Sequence, residues 1–436
     1  MHLLKWLYPG LRFKRWLLLF TVGVMLAGLG LALVFNYKYL DTIEEAIFRT
    51  IYLWRGSYDY MFTTLIGAAV VIIGLSLMLI AMRFVIRSVI LVLLPDSSER
   101  LVDIIYEKRR LSRGPSVAVI GGGHGLSVLL RGIKTATSNV SAVVTVADDG
   151  GSSGRLREEL GIIPPGDLRN CLVALADTEP LMEKLFQYRF KSESELGGHS
   201  FGNLFIAAMT GVTGDVETAL RESSKVLAVK GQVLPASKEH VRLDAIMVEG
   251  ESHIPEVHKR IRRVLLYPPH VQPVEAALSA LENADAVVLG PGSLYTSIMP
   301  NLLVDGVADT LQKSKAVKIY ICNVMTQPGE TDGYTASMHA RAILEHGGRG
   351  IIDYMIVNNA PITDAMLEYY KERGAEPVRI DDDEIRALGI GFLKADIINQ
   401  SDVIRHDPDK LCKNVMKMVE GLRPSKKGDH LMRHSH

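Results

Sequence analysis

Two stretches without a single charge limit what this chain can become. Trp16 to Phe35 runs for twenty residues and Met61 to Met82 for twenty-two, and as helices both reach across a hydrocarbon core of about 30 Å. A helix buried in a soluble core would carry a polar stripe, which neither shows. A cleaved leader is the alternative for the first, but its apolar run exceeds the usual length of roughly 7–15 residues and lacks a small-residue cleavage site. Lys5, Arg12, Lys14 and Arg15 precede the first span, and Arg83 and Arg87 follow the second; the loop between mixes Lys38, Arg49 and Arg55 with Asp41, Glu44, Glu45 and Asp59. The positive-inside bias therefore predicts a multi-pass protein of the cytoplasmic membrane, with both termini and the following domain on the cytoplasmic side. Ser88 to Leu94 either continues the second span or lies in the interface, and Pro95 ends it. Residues 1–113 form this membrane region, with spans at about 16–35 and 61–82.

The remainder differs in charge and pattern. Residues 1–115 hold 14 Lys/Arg against 8 Asp/Glu, and the rest 35 against 41. An even overall balance of 49 basic and 49 acidic residues excludes a basic nucleic-acid domain, so no nucleic acid is expected as partner. Cys171, Cys322 and Cys412 are too few for a disulfide framework and too scattered for a metal knuckle, which fits a reducing compartment. From Gly114, short apolar runs alternate with glycine turns and helical stretches, the signature of a mostly parallel α/β sheet. Strands are expected at 116–120, 140–146, 286–289, 317–322, 354–357 and 377–380, with an inserted small lobe at 230–265. Residues 114–405 form one α/β domain, and 406–436 a peripheral helix or flexible tail.

Several strand ends carry residues suited to phosphate and sugar. The turn Gly121-Gly122-Gly123-His124-Gly125 enters a helix, where converging backbone N–H groups and the helix N-terminus attract an anion. It is neither a Walker loop nor the dinucleotide fingerprint, and a tight turn beneath a close helix is the plainer alternative. His124 is either a phosphate contact or a loop histidine. Gly290-Pro291-Gly292-Ser293 follows a second strand and faces the same sheet edge; Ser293, Thr296 and Ser297 offer hydroxyls to a ligand or cap a helix. Asp148 and Asp149 sit where carboxylates bind ribose or share magnesium, or else cap the loop. Arg155 and Arg157 supply charge for phosphate, and Asp167 is an N-cap, a ligand-facing acid or both. His199 is a substrate contact or a backbone-bonded histidine, and Asn203 opens the helix after it. Asn323 is placed to read a base or sugar edge.

On these residues the chain closely resembles the bacterial gluconeogenesis-factor family, a branch of the superfamily that contains 2-phospho-L-lactate transferase. The likeness rests on Ile120 to Leu126, Val146 to Arg157, Pro164 to Asn170, Gly198-His199-Ser200, Gly290 to Ser297 and Asn323 to Tyr334. It implies a cytoplasmic Rossmann-like body that binds a uridine diphosphate sugar, such as UDP-N-acetylglucosamine. It also implies a regulatory role in cell shape and envelope carbon allocation during gluconeogenic growth, exercised through a cytoplasmic partner protein; a homo-oligomer is compatible. Nucleotide contacts are then assigned to Gly122, Gly123, His124, Gly125, Asp148, Asp149, Gly290, Gly292, Ser293 and Asn323, and substrate or phosphate contacts to Arg155, Arg169, His199, Asn203 and Thr296. The transferase branch instead moves phospholactate with magnesium. Its motif Ser-Pro-Asp-Leu-Asp-Thr reads Pro165-Gly166-Asp167-Leu168-Arg169-Asn170 here, so a cation replaces its second acid. No catalytic residue is assigned; were the chain a transferase, Asp167 would orient the acceptor, and Asp148, Asp149 and Asp167 would be the candidate magnesium ligands.

Overall fold

The computed structural model describes residues 14–35, 49–50, 52–53, 60–93, 101–147, 150–177, 180–191, 196–247, 250–252, 261–400 and 403–422. They divide into two compact units between Glu107 and Lys108. In the first, α1 (Lys14–Phe35) and α2 (Tyr60–Leu93) contain the segments Arg15–Val34 and Thr64–Ser88, 20 and 25 residues, long and apolar enough to cross a membrane. The apolar extension after Ser88 therefore continues the helix as far as Leu93; Pro95 lies outside the described residues. The two helices run antiparallel and meet through glycine. A Cβ on Gly30 would lie 2.7 Å from the Gly67 carbonyl, and one on Gly74 would lie 2.6 Å from the Ala27 nitrogen. Trp16 stacks on Phe84 with centroids 4.1 Å apart. Close backbone approach of this kind holds helices together where lipid removes the hydrophobic drive.

The second unit is built on β1 (Val117–Gly121), β2 (Val140–Val144), β3 (Gln232–Pro235), β4 (Arg242–Met247), β5 (Gly250–Ser252), β6 (Ile261–Tyr267), β7 (Ala286–Leu289), β8 (Val317–Ile321), β9 (Tyr354–Asn358), β10 (Gly391–Ala395), β11 (Ile398–Gln400) and β12 (Ile404–His406). Seven strands form one sheet in the order β10-β9-β8-β7-β1-β2-β3, with every neighbouring pair parallel. The central strands β1 and β7 are buried along their whole length, as expected for continuous Val/Ile/Leu runs with helices on both faces. This is a Rossmann-like α/β fold. The chain leaves β1 toward β2 and β3, then returns to β7 and proceeds the other way. The turns after β1 and β7 consequently part at a topological switch point, where open α/β sheets bind ligands.

Two expectations change, and a third resolves to one of its alternatives. Residues 377–380 make only isolated bridges, Pro377 to Met325 and Arg379 to Thr335, because Pro377 lacks the donor that a ladder needs; the outer strand is β10 instead. The small lobe begins later than 230 and ends slightly past 265: β3 joins the main sheet beside β2, and β4, β5 and β6, from Arg242 to Tyr267, make an antiparallel three-stranded sheet. Beyond residue 406, the helix alternative is the one observed, over Pro408–Leu422. It buries Leu411, Cys412, Val415, Met416 and Val419 in the core and packs against the helix Gly123–Ile133. Residues 423–436 lie outside the described residues.

Gly132 marks that packing, since a Cβ there would collide with the Pro408 carbonyl and lie 2.8 Å from Cys412 Cβ. Gly132→Ala is expected to destabilise this unit by about 1–3 kcal/mol through overpacking. The readout is a lower thermal midpoint with ligand binding retained; an unchanged midpoint would mean that the last helix lifts away freely.

Candidate functional site

Three helices begin at the switch-point crevice: α3 (Gly123–Ile133), α4 (Gly151–Leu160) and α5 (Gly166–Leu175), preceded by Gly122, Gly150 and Pro165. None of these preceding residues offers a side-chain cap; at α5 the Gly166 N–H is taken up by Ser153 Oγ at 3.1 Å and Asp167 stands in the first turn, so the positive potential of open N–H groups falls mainly to α3 and α4. Gly123 adopts φ +65°, which a residue with a Cβ rarely tolerates. Gly122 is pressed against Thr145 and the Asp167 carboxylate. Gly125 touches the other turn: a Cβ there would lie 2.6 Å from the Pro291 carbonyl and 2.9 Å from Gly292 Cα. The turns after β1 and β7 are therefore in backbone contact, as a shared diphosphate site requires.

On one side of this contact lies a cleft of about 680 Å³ lined by Gly123, His124, Asp167, Arg169, Asn203 and Thr296 among others. Arg169 is only 6% exposed. Its Nη1 donates to Ser200 Oγ and its Nη2 to Asn170 Oδ1 at 2.8 Å, while its Nε–H has no partner. No carboxylate lies within ion-pair distance among the described residues. Desolvation, then repulsion by Arg189, lowers its pKa against the pull of Asp167. A buried guanidinium without a counter-ion is costly and calls for an anion. Desolvation followed by repulsion from Arg169, Arg405, Arg189 and Arg131 likewise lowers the His124 pKa, so the cleft is electropositive.

His199 acts at one remove. Its Nδ1 lies 3.0 Å from Ser152 Oγ, to which Asn203 Nδ2 donates at 3.0 Å. Desolvation first, then Arg155, lowers the His199 pKa. In the neutral tautomer with its proton on Nε2, the ring accepts a hydrogen bond from the Ser152 hydroxyl at Nδ1, which leaves the serine lone pairs for Asn203. Ser152 lines the cleft and His199 stands behind it. Arg155 is turned outward, its Nη2 donating to the Gly197 carbonyl at 2.7 Å.

A second cleft of about 560 Å³ holds Gly125, Gly292, Ser293 and Asn323, and is walled by Gln327, Tyr370, Arg373, Arg405 and His406. Asn323 Nδ2 donates to Gln327 Oε1 at 3.2 Å. Tyr370 is tied to β12, its hydroxyl accepting from the Ile404 nitrogen at 3.1 Å. Burial holds the His406 pKa down at about 4, which leaves a neutral ring at pH 7. Ser293 caps the turn Leu294–Ile298, accepting from Thr296 N at 3.2 Å and Thr296 Oγ1 at 2.6 Å, while its own hydroxyl donates to Glu330 Oε2. Its side chain therefore supports the turn, and any ligand contact there falls to the backbone.

The structure thus gathers ten of the proposed residues around one crevice. Gly290 lies at the base of its turn against Ile298, Gly122 packs behind Asp167, and His199 and Arg155 stand away from the cleft surface. Asp148 and Asp149 lie outside the described residues. Among the described residues, no three His, Cys, Asp or Glu side chains come together as metal ligands. Ser152 and Glu330 were visible in sequence only as members of motifs; Arg189, Tyr370 and Arg405 carried no local signal.

Comparison with known proteins agrees with this architecture. Residues 117–398 match the family described as 2-phospho-L-lactate transferase CofD. The gluconeogenesis factor of Bacillus subtilis is 49% identical over 316 residues, 71% of this chain and 100% of its own length. A Nostoc sp. relative is 46% identical over 431 residues, 97% of this chain and 94% of its own, so that alignment also takes in most of the region before Lys108. A crystal structure of a Bacillus halodurans protein superposes with a TM-score of 0.68 at 50% identity, covering 70% of this chain and 99% of that one. The chain belongs to the bacterial gluconeogenesis-factor family within the CofD-related superfamily.

Proposed function

We propose that this protein is a membrane-anchored regulator that binds a uridine diphosphate sugar, such as UDP-N-acetylglucosamine, and reports its occupancy to a cytoplasmic partner. Through that partner it would adjust cell shape and envelope carbon allocation during gluconeogenic growth. The observation that carries the binding role is Arg169: buried, without a carboxylate in ion-pair distance among the described residues, its Nε–H unpartnered among them, beside the N-termini of α3, α4 and α5. The diphosphate would lie against the turns at 122–125 and 290–292. The two clefts on either side would take the sugar and the nucleoside, with Asn323, Tyr370 and Arg405 available to the latter. The uridine preference rests on the family resemblance. Two spans in the order set by their flanking charges would hold both termini and the sheet domain on the cytoplasmic face.

A magnesium-assisted transferase is the second reading, favoured by the description of the matched family and by the Asp167 carboxylate beside Gly122 and Gly123. Asp148 and Asp149, with Asp167, would hold the ion. Calorimetric titration of the full chain in detergent with UDP-N-acetylglucosamine, with and without magnesium and against guanosine diphosphate, separates the two. Saturable uridine-selective binding without turnover is expected. Guanosine preference, or product formation lost in Asp167→Asn, would transfer the protein to the enzyme class.

A further inference from the structure

Among the described residues, one side chain lines both clefts: Glu330. It sits on the turn after β8, half-buried, against the glycine turn after β7. Its only partners among the described residues are the Ser293 hydroxyl and the Tyr295 backbone N–H. Those two donors leave carboxylate lone pairs open toward the junction. An acid with no cationic partner is unexpected beside a cleft whose charged side chains include Arg169 and Arg189. Desolvation raises its pKa while the two donors oppose the rise. As a structural device the residue is poor, because a glutamine would hold Ser293 equally well without a charge to desolvate. The negative charge itself therefore needs a purpose.

Because Glu330 borders both clefts, a diphosphate against the turns at 122–125 and 290–292 would bring the group on its second phosphate past this carboxylate, whichever cleft that group enters. A further phosphate there would meet a like charge in a partly dry cleft. A sugar would instead present hydroxyl donors, which form charge-assisted bonds to a carboxylate. We infer that Glu330 is the specificity-determining residue that makes the crevice prefer a nucleoside diphosphate bearing an uncharged polyhydroxyl group over a nucleoside triphosphate. This rests on the nucleotide-sugar reading above and deepens it, since discrimination would come from an introduced repulsion as well as from new contacts.

The test uses the full chain in detergent, titrated calorimetrically with UDP-N-acetylglucosamine and with UTP, each in chelator and in magnesium. The proteins are the parent chain, Glu330→Gln and Glu330→Asp. The parent chain is expected to bind the sugar nucleotide more tightly than UTP. Glu330→Gln should shift the affinity ratio toward UTP by about tenfold or more, with UTP binding strengthened outright. Glu330→Asp, which keeps the charge, should retain the parent preference. An unchanged ratio in Glu330→Gln, or an equal loss of both ligands, would overturn the inference and leave the residue a structural one. A loss confined to magnesium-containing samples would overturn it in favour of a metal ligand. Binding of neither nucleotide by the parent chain would instead remove the nucleotide reading, and the inference with it.

Discussion

Arg169→Met is expected to weaken binding of UDP-N-acetylglucosamine at least about a hundredfold, close to 2.7 kcal/mol, with the unliganded protein changed far less in stability. The asymmetry follows from the environment of the side chain. The guanidinium is buried, repelled by Arg189 and without a paired carboxylate among the described residues. Removing an uncompensated charge costs a fold little or stabilises it, and here this offsets the lost bonds to Ser200 and Asn170. The methionine keeps most of the stem that packs on Gly202, where a Cβ would lie 2.7 Å from Arg169 Cδ. A bound diphosphate, by contrast, would lose its most desolvated cation, and truncating such a partner costs about 2–5 kcal/mol of binding. Thermal midpoints with and without ligand separate the two effects. Undiminished affinity would remove Arg169 from the site.

Gly125→Ala should damage both the fold and the site. The added methyl would fall 2.6 Å from the Pro291 carbonyl oxygen and 2.9 Å from Gly292 Cα. Both are backbone atoms that cannot rotate aside, so the turns after β1 and β7 would have to part. A stability loss of about 1–3 kcal/mol is expected from the overpacking. Affinity should fall about tenfold or more, since a diphosphate held by two turns depends on their spacing. Gly211→Ala is the control. No atom lies within 4 Å of a Cβ at that helical position, and alanine there should be neutral or stabilising by about 0.4–1 kcal/mol.

What could be read in the sequence was local and periodic. The two spans and the strands β1, β2, β7, β8 and β9 stood out because each is a predominantly apolar run, interrupted at most by a single polar residue such as Ser141 or Lys318 in the strands, with a turn at its end. The glycine turns at 121–125 and 290–293 could be placed at one sheet edge because parallel strands present the same ends together. β10 escaped because Gly391-Phe-Leu-Lys-Ala lies half-exposed on the sheet edge and lacks the β-branched run of a central strand. Pro377 stands in an apolar run that reads as a strand, while its missing N–H keeps it out of the ladder. Arg405 and Tyr370 were invisible for a different reason. They reach the second cleft through the β11–β12 hairpin and its bond to the Tyr370 hydroxyl, a return of the chain that no short-range pattern announces. Arg169 was noticed as a departure from an acidic motif, but its burial and open Nε–H emerge only when α5 and α6 (Phe201–Thr213) pack together.

Amide hydrogen exchange on the full chain, with and without saturating UDP-N-acetylglucosamine, tests the central claim most directly. Binding at the switch point predicts slowed exchange at both turns, 122–125 and 290–297, and at the first turns of α4 and α5, with the β4–β6 lobe unchanged. Slowed exchange confined to that lobe, or no change at either turn despite saturable binding, would contradict it.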